Sequence, residues 1–305
     1  MPEKSENYGG VLCVYKEQGY TSHDVVNKIR RLYGTRQVGH TGTLDPMAEG
    51  VLVVMVGRAV KASELLSADT KEYVAGLKLG ITTDTEDISG QILTEYDGLM
   101  PDPETVKNAV LSFAGEIEQI PPMYSALKVG GQKLVDLARK GQEIERKPRC
   151  VCVDKIEAFE TDKADEFLLN TRVSKGTYIR TLCADIGKML GTGAVMSSLT
   201  RTACGNFGIE DAHRLSELEE MTEAEKNALL HPVETLFEDL GCVHLNDFFA
   251  RLAACGCEIY QKKIGTHFDE GVLVRLYDAC GFFAIGRVQA FEQGSAVKPI
   301  KQFRI

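Results

Sequence analysis

The residues able to do chemistry concentrate in one short segment, Gly39-His40-Thr41-Gly42-Thr43-Leu44-Asp45-Pro46. Two glycines, two threonines and a proline surround a single acid, Asp45. Glycines let a ligand approach the backbone closely, and a loop of this make-up can hold a carboxylate at a fixed angle. Pro46 biases Asp45 toward extended geometry. A lone carboxylate presented this way can serve as a nucleophile or as a fixed charge facing a reacting centre. The generic pattern fits a blander role at least as well, because Asp-Pro often opens a helix and Asp45 would then be its cap.

Other chemistries fit less well. Aspartyl phosphatases place their acid before a Thr-Gly-Thr run, whereas here Asp45 follows Thr41-Gly42-Thr43 and no acid stands just before Thr41. The chain has no phosphate-binding G-x-x-x-x-G-K-[ST] loop, no H-E-x-x-H zinc motif and no G-x-S-x-G elbow.

The elements that must position this loop can be read from apolar periodicity. Val11 to Tyr15 reads as a strand. Thr21 to Asp24 has capping-box spacing, with Val25, Val26, Ile29 and Leu32 following at helical intervals to a stop near Gly34. Residues 34–50 read as a loop, and Val51 to Val56 as a strand buried on both faces. Tyr73, Ala75, Leu77 and Leu79 alternate as in a half-buried strand, and Thr82 to Gly90 is a polar turn. Helices are expected over Pro103–Phe113, Leu134–Lys140 and Tyr178–Leu190, the last two closed by Gly141 and Gly191. Val151–Phe159 and Phe167–Val173 read as strands, 210–239 as helix and linker, and the region beyond about 240 as short β-rich runs such as Val272–Leu276 and Phe282–Val288. Strands and helices interleave without a βαβ repeat, so pattern alone implies a mixed α/β or α+β sheet.

Composition is that of a soluble globular protein, with 44% hydrophobic and 26% charged residues. No apolar run is long enough to span a bilayer, and the polar first ten residues do not resemble a signal peptide, so a cytoplasmic protein without membrane contact is expected. The net charge of −9 is local: residues 210–247 hold eleven acids against two bases, and the rest of the chain balances at 33 of each. Residues 128–149 run the other way, with seven bases and three acids. An anionic polymer needs a local positive patch rather than a basic whole protein. The nine cysteines, Cys13, Cys183 and Cys280 among them in apolar surroundings, are expected to be reduced and mostly buried. The C-x-C spacing of Cys150/Cys152 and Cys255/Cys257 does not favour zinc.

The Asp45 loop closely resembles the nucleophile motif of the TruB family of tRNA pseudouridine synthases. Further blocks stand in that family's order: Lys71-Glu72-Tyr73-Val74-Ala75, Leu79-Gly80-Ile81-Thr82-Thr83-Asp84-Thr85, the run Gln119 to Lys128 around Pro121-Pro122, Ser174 to Leu182, and Leu199-Thr200-Arg201-Thr202. The resemblance covers about residues 9–210. It implies an α+β pseudouridine-synthase fold, a mixed and mostly antiparallel sheet flanked by helices, with a small β-rich C-terminal domain. Residues 1–239 would form the catalytic domain, with an RNA-gripping insertion near 125–149, and residues 240–305 the small domain, which is compatible with RNA binding.

The resemblance also implies a function: isomerisation of uridine to pseudouridine in the T-arm of tRNA, at position 55, with no cofactor and no metal. Asp45 would be the catalytic carboxylate, attacking C1′ or deprotonating C2′. Arg180 would pair with it, Tyr73 would stack on the flipped base, and Tyr178 would sit against the base and assist proton removal from C5. His40 and Leu199 would contact the substrate. Lys133, Arg139, Lys140, Arg146, Lys147 and Arg149 would meet the RNA backbone, and Arg201 and Lys61 are weaker candidates for phosphate or loop support. The chain would work as a monomer. Two other readings stay open at this stage: an RNA chaperone of the same fold without catalysis, and a glycoside or nucleoside hydrolase. The hydrolase would need a second acid, for which Asp84 and Asp87 are available.

Overall fold

The computed structural model describes residues 9–66, 70–125 and 127–304. Its centre is a ten-stranded sheet. Along the main path the strands run His213–Arg214, Gly9–Lys16, Glu49–Gly57, Ala194–Cys204, Lys71–Leu79, Glu166–Val173, Arg149–Glu160 and Gly115–Gln119. Val38–His40 adds to Glu49–Gly57, and Phe207–Gly208 to Ala194–Cys204. Two pairings are parallel, His213–Arg214 with Gly9–Lys16 and Glu49–Gly57 with Ala194–Cys204; the others are antiparallel. This is the mixed, mostly antiparallel α+β sheet that the sequence implied.

The strand Glu49–Gly57 shows why an unbroken apolar run belongs at the centre of a sheet. Leu52, Val54 and Val56 pack against Val25, Val26 and Ile29 of helix α1 (Ser22–Leu32). Val51 and Val53 face the other way, onto Cys13, Cys204 and Phe207. Helix α1 starts where its capping box lies: Asp24 N donates to Thr21 Oγ1 at 3.1 Å, and Thr21 N donates to Asp24 Oδ2 at 2.9 Å. Helices α2 (Pro103–Leu111) and α4 (Ile179–Leu190) cover a second cluster built on Leu77, Leu79, Leu169 and Met196. Between them in the chain, the short helix α3 (Leu134–Ala138) follows a small hairpin, Lys128–Val129 with Gln132–Lys133.

A second sheet of five strands, ordered Gly241–His244, Leu273–Asp278, Gly281–Phe291, Gly294–Gln302 and Ile259–Tyr260, forms the β-rich C-terminal domain. It meets the large sheet through one shared cluster, in which Phe237, Ile285 and Phe303 pack on Met55, Ala59 and Ala62. No helix among the described residues is long and apolar enough to cross a membrane.

Several expectations need correction. The segment 34–50 is not all loop, since Val38–His40 pairs with Met55 and its neighbours. Strands Gly115–Gln119 and Ala194–Cys204 and helix Asp247–Ala254 were not anticipated. Only Cys13, Cys183 and Cys204 of the nine free cysteines are buried. Cys280 is exposed, because it sits in the turn between two strands of the second sheet.

Candidate active site

The loop carrying Asp45 leaves strand Val38–His40 and re-enters the sheet at Glu49. It is clamped from below at several points. Ser22, at the first position of α1, donates its hydroxyl to Leu44 O at 3.1 Å and accepts from Leu44 N at 2.9 Å. Lys16 is completely buried, and its Nζ donates to Ala48 O at 2.5 Å and to Pro46 O at 3.4 Å. Burial pushes that lysine down to about 8. Gly50 adopts φ +99°, and a Cβ there would lie 2.2 Å from Arg201 O, so only glycine lets these two backbones approach.

The cap reading of Asp45 does not survive. Asp45 O accepts from Ala48 N at 3.0 Å, which closes a tight turn, and the chain runs on into a strand rather than a helix. Asp45 therefore has no helix to cap, and its carboxylate is turned toward Arg180, with Arg180 Nε 3.0 Å from Asp45 Oδ2.

Arg180 lies in the first turn of α4, almost fully buried. Its guanidinium is held from three sides. Besides Asp45, Nη1 donates to Thr85 O at 3.1 Å and Nη2 donates to Tyr124 O at 2.9 Å. Nη1 also lies 3.7 Å from Asp87 Oδ2. Asp87 is buried, and its Oδ1 accepts from Thr85 Oγ1 at 2.9 Å, Ser89 N at 3.0 Å and Ser89 Oγ at 2.5 Å. One guanidinium thus spans two carboxylates from distant parts of the sequence. Asp84 instead accepts from Gln91 N at 2.7 Å, within its own hairpin. Beside this network, Glu86 adopts φ +62° and accepts from Thr181 Oγ1 at 2.6 Å, with burial pushing its carboxyl above the ordinary range.

Asp45 and Arg180 border a cavity of about 460 Å³, within the range of small-ligand sites. Tyr73, Leu199, Tyr178 and Arg201 line it as well, so the sheet brings together six of the expected site residues. Tyr73 is buried on strand Lys71–Leu79, and that burial pushes its phenol above the usual value, so it stays neutral at ordinary pH. Tyr178 precedes α4. Gln119 pins its backbone in both directions, accepting from Tyr178 N at 2.8 Å and donating to Tyr178 O at 3.0 Å.

The remaining expected residues scatter. His40 ends its strand near the cavity but does not line it; desolvation lowers its imidazole below the usual value, leaving it neutral near pH 7. Arg201, on the cavity wall, turns two of its donors to backbone carbonyls. It is fully buried, with Nε donating to Val51 O at 2.6 Å and Nη2 to Gly42 O at 3.2 Å, so it supports the loop. Lys61 lies at the seam with the second sheet, donating to Gln302 O at 3.3 Å. Arg139, Lys140, Lys147 and Arg149 are exposed. Arg146 is turned partly inward, onto Pro121 O at 3.2 Å and Glu143 at 2.9 Å. The side chain of Lys133 lies outside the described residues.

Sequence reasoning missed Lys16, Ser22 and Gln119, and left Asp87 undecided. Gln119 and Asp87 stand in or beside the motif blocks, which was the available signal. Nothing in the sequence marks a lone lysine at a strand end as buried.

Comparison with known proteins places these observations in context. Residues 30–179 match the N-terminal domain of the TruB family of pseudouridylate synthases, and residues 180–238 match the tRNA pseudouridylate synthase B C-terminal domain. The tRNA pseudouridine synthase B of Clostridium tetani is 42% identical over 279 residues, covering 91% of this chain and 95% of that protein. Its counterpart in Clostridioides difficile is 37% identical over 298 residues, covering 96% and 99%. Among solved structures, a chain of a Cbf5-Nop10-Gar1 complex superposes with TM-score 0.75 at 29% identity, over 99% of this chain and 86% of that one. A chain of an H/ACA RNP bound to a substrate RNA containing 2′-deoxyuridine gives TM-score 0.73 at 26% identity, over 100% and 88%.

Proposed function

The chain belongs to the TruB family of pseudouridylate synthases and isomerises uridine to pseudouridine in tRNA; we propose that its target is the T-arm uridine at position 55 and that Asp45 is the catalytic carboxylate. The reaction breaks the N1–C1′ bond, turns the base within the pocket and rejoins it through C5. The C5 proton is then lost to water, and N1, which left C1′ with the bond's electron pair, takes one up. One carboxylate suffices, either by adding to C1′ and leaving as the new C–C bond forms, or by taking a proton from C2′ and returning it. The observation that carries the assignment is the 3.0 Å contact between Arg180 Nε and Asp45 Oδ2 at the wall of a cavity lined by Tyr73, Tyr178 and Leu199.

Each role follows from position. Arg180 keeps Asp45 aimed, because a charge-assisted hydrogen bond from its rigid guanidinium fixes the carboxylate's direction. The uridine must leave its stack to reach Asp45, and Tyr73 offers a flat apolar face for it. Leu199 closes the base pocket, and the hydroxyl of Tyr178 is available to assist removal of the C5 proton, accepting it as it passes its own on to water. His40 contacts the RNA at the rim. The exposed Arg139, Lys140, Lys147 and Arg149 meet the phosphate backbone and position the arm without reading its sequence. Residues 240–305 carry eight bases against six acids and add to the RNA-binding surface. One chain supplies every site residue, which supports a monomeric enzyme, and a tRNA substrate is in keeping with work in the cytoplasm.

The competing readings lose ground for stated reasons. A chaperone has no use for a carboxylate oriented by a buried arginine. A hydrolase needs a second acid free to activate water, yet Asp87 is buried, already accepts three hydrogen bonds and does not line the cavity. The test uses tRNA labelled with tritium at uridine C5. Wild-type protein should release tritium to water and no free uracil. The Asp45→Asn variant should release none while binding the RNA nearly as well. Wild-type turnover by Asp45→Asn would end the assignment.

A further inference from the structure

Among the described residues, two that line the cavity carry a buried polar atom with no hydrogen-bond partner, Ser125 Oγ and Arg201 Nη1. Arg201 has an evident structural task, since its other nitrogens hold the Asp45 loop and the adjoining strand. Ser125 does not. Its backbone is already fixed: Ser125 N donates to Met123 O at 2.9 Å, and Val135 N, in helix α3, donates to Ser125 O at 3.1 Å. The side chain is 5% exposed, and an alanine would satisfy everything the fold requires at this position. Buried hydroxyls normally find partners, and one left without a partner costs stability. A hydroxyl kept at a cavity wall under those terms has its partner in the ligand.

The surroundings indicate which part of the ligand. The carbonyl of the preceding residue, Tyr124, rests on Arg180 Nη2 at 2.9 Å, and the same guanidinium holds Asp45 through Nε at 3.0 Å. Ser125 is therefore tied to the end of the cavity where Asp45 meets the sugar. Tyr73 and Leu199, on paired strands of the sheet, take the base. On the ribose, the group that both donates and accepts is the 2′-hydroxyl, which matches the dual character of a serine and distinguishes RNA from DNA. We propose that Ser125 Oγ hydrogen-bonds the 2′-hydroxyl of the flipped uridine and so contributes to selection of a ribonucleotide. The proposal rests on the uridine-site reading above.

The test is a binding cycle in an Asp45→Asn background, so that substrate is not consumed. T-arm stem-loops bearing uridine or 2′-deoxyuridine at the target position are titrated against protein with Ser125 or Ser125→Ala. With Ser125, uridine should bind roughly tenfold more tightly than 2′-deoxyuridine, the scale of one hydrogen bond to a ligand. Ser125→Ala should weaken uridine binding by the same factor and leave 2′-deoxyuridine binding unchanged. Its thermal midpoint should equal or exceed that of the parent. Unchanged uridine affinity, or an equal loss on both RNAs, would overturn the proposal, as would a lowered midpoint accompanying such an equal loss. Failure of the underlying function shows up separately, as wild-type protein that releases no tritium from C5-labelled tRNA.

Discussion

Replacing Arg180 by lysine tests the centre of the site while keeping its charge. Arginine presents donors in a rigid fork, and here three nitrogens point three ways: Nε to Asp45, Nη1 to Thr85 O and Nη2 to Tyr124 O. A lysine ammonium is a single point on a flexible stem and cannot reach all three. If it follows Asp45, two partly buried carbonyls lose charge-assisted bonds worth about 1.5–3 kcal/mol each. If it follows the carbonyls, Asp45 is released. Asp45 is 37% exposed, so its own ion pair adds less to stability than the 3.0 Å distance suggests. The larger consequence is positional, because a shift of about 1 Å in a catalytic group can cost about a hundredfold in rate. Arg180→Lys should lower the single-turnover rate of tritium release by about 100-fold or more, with the RNA dissociation constant changed less than about threefold. Stability should fall by about 2–4 kcal/mol in denaturant unfolding. A variant with the wild-type rate, or one whose defect vanishes at saturating enzyme, would refute the positional argument.

Other outcomes follow from the same geometry. Tyr73→Ala should weaken productive binding by about 1–3 kcal/mol in kcat/KM, whereas Tyr73→Phe keeps the stacking face and should lose far less; equal losses would point to the hydroxyl instead. Neutralising Arg139, Lys140 and Arg149 together should flatten the dependence of log affinity on log salt by roughly 0.7–0.9 for each phosphate that is no longer neutralised, and an unchanged slope would remove that segment from the interface. Lys16 gives a pH signature. Its folded value of about 8 lies below the ordinary lysine value of 10.5, so between those limits the unfolded chain holds the extra proton and this site's contribution to stability rises with pH. The stability gap between wild type and Lys16→Met should therefore widen from pH 8 to 10.5, by up to about 3 kcal/mol. Cys13 and Tyr33, both pushed up to about 12, titrate alike in the two proteins and cancel in the difference. A pH-independent gap would show that Lys16 is not desolvated in the folded state.

Local rules were legible where local forces decide. The capping box at Thr21 and the doubly buried run Val51 to Val56 formed as read, since each depends on neighbours in the chain or on one unbroken pattern. Strand Ala194–Cys204 escaped because its alternation is broken twice, by register shifts between Met196 and Ser198 and between Arg201 and Ala203. Arg201 was read as a weaker candidate for phosphate or loop support, and nothing local announces its burial; backbone carbonyls of Val51 and Gly42, far from it in sequence, take its donors and allow that burial. The motif blocks named Asp45, Arg180 and their pairing, which the fold forms at 3.0 Å; the second carboxylate on Arg180, Asp87, appears only once the sheet brings those segments together.

The arrangement also explains how a chain of net charge −9 can act on an RNA. Its excess acids lie within 210–247, mostly exposed or half-exposed, where salt screens them over about 8–10 Å. At the cavity and directly beneath it, Lys16, Arg180 and Arg201 are buried where water screens least, Arg180 against Asp45 and Asp87, with Lys71 and Lys175 on the cavity wall and the carboxylates of Glu49 and Glu86 close by. Those buried cations matter to the chemistry as well as to binding. Under the role proposed for Asp45, whether it adds to C1′ or removes a proton from C2′, cleavage of the N1–C1′ bond pushes an electron pair onto the departing base. Fixed positive charge around the pocket lowers the energy of that anion on either path, and being already in place it needs no reorganisation as the bond breaks. Lys16 is the member of the set whose charge is lost first as pH rises, since burial has brought it down to about 8. The rate of bond cleavage should therefore decline above pH 8 in the wild type. In Lys16→Met, which lacks that charge at every pH, the rate should be lower throughout and should not show the same decline; a parallel decline in both proteins would assign the effect to another group.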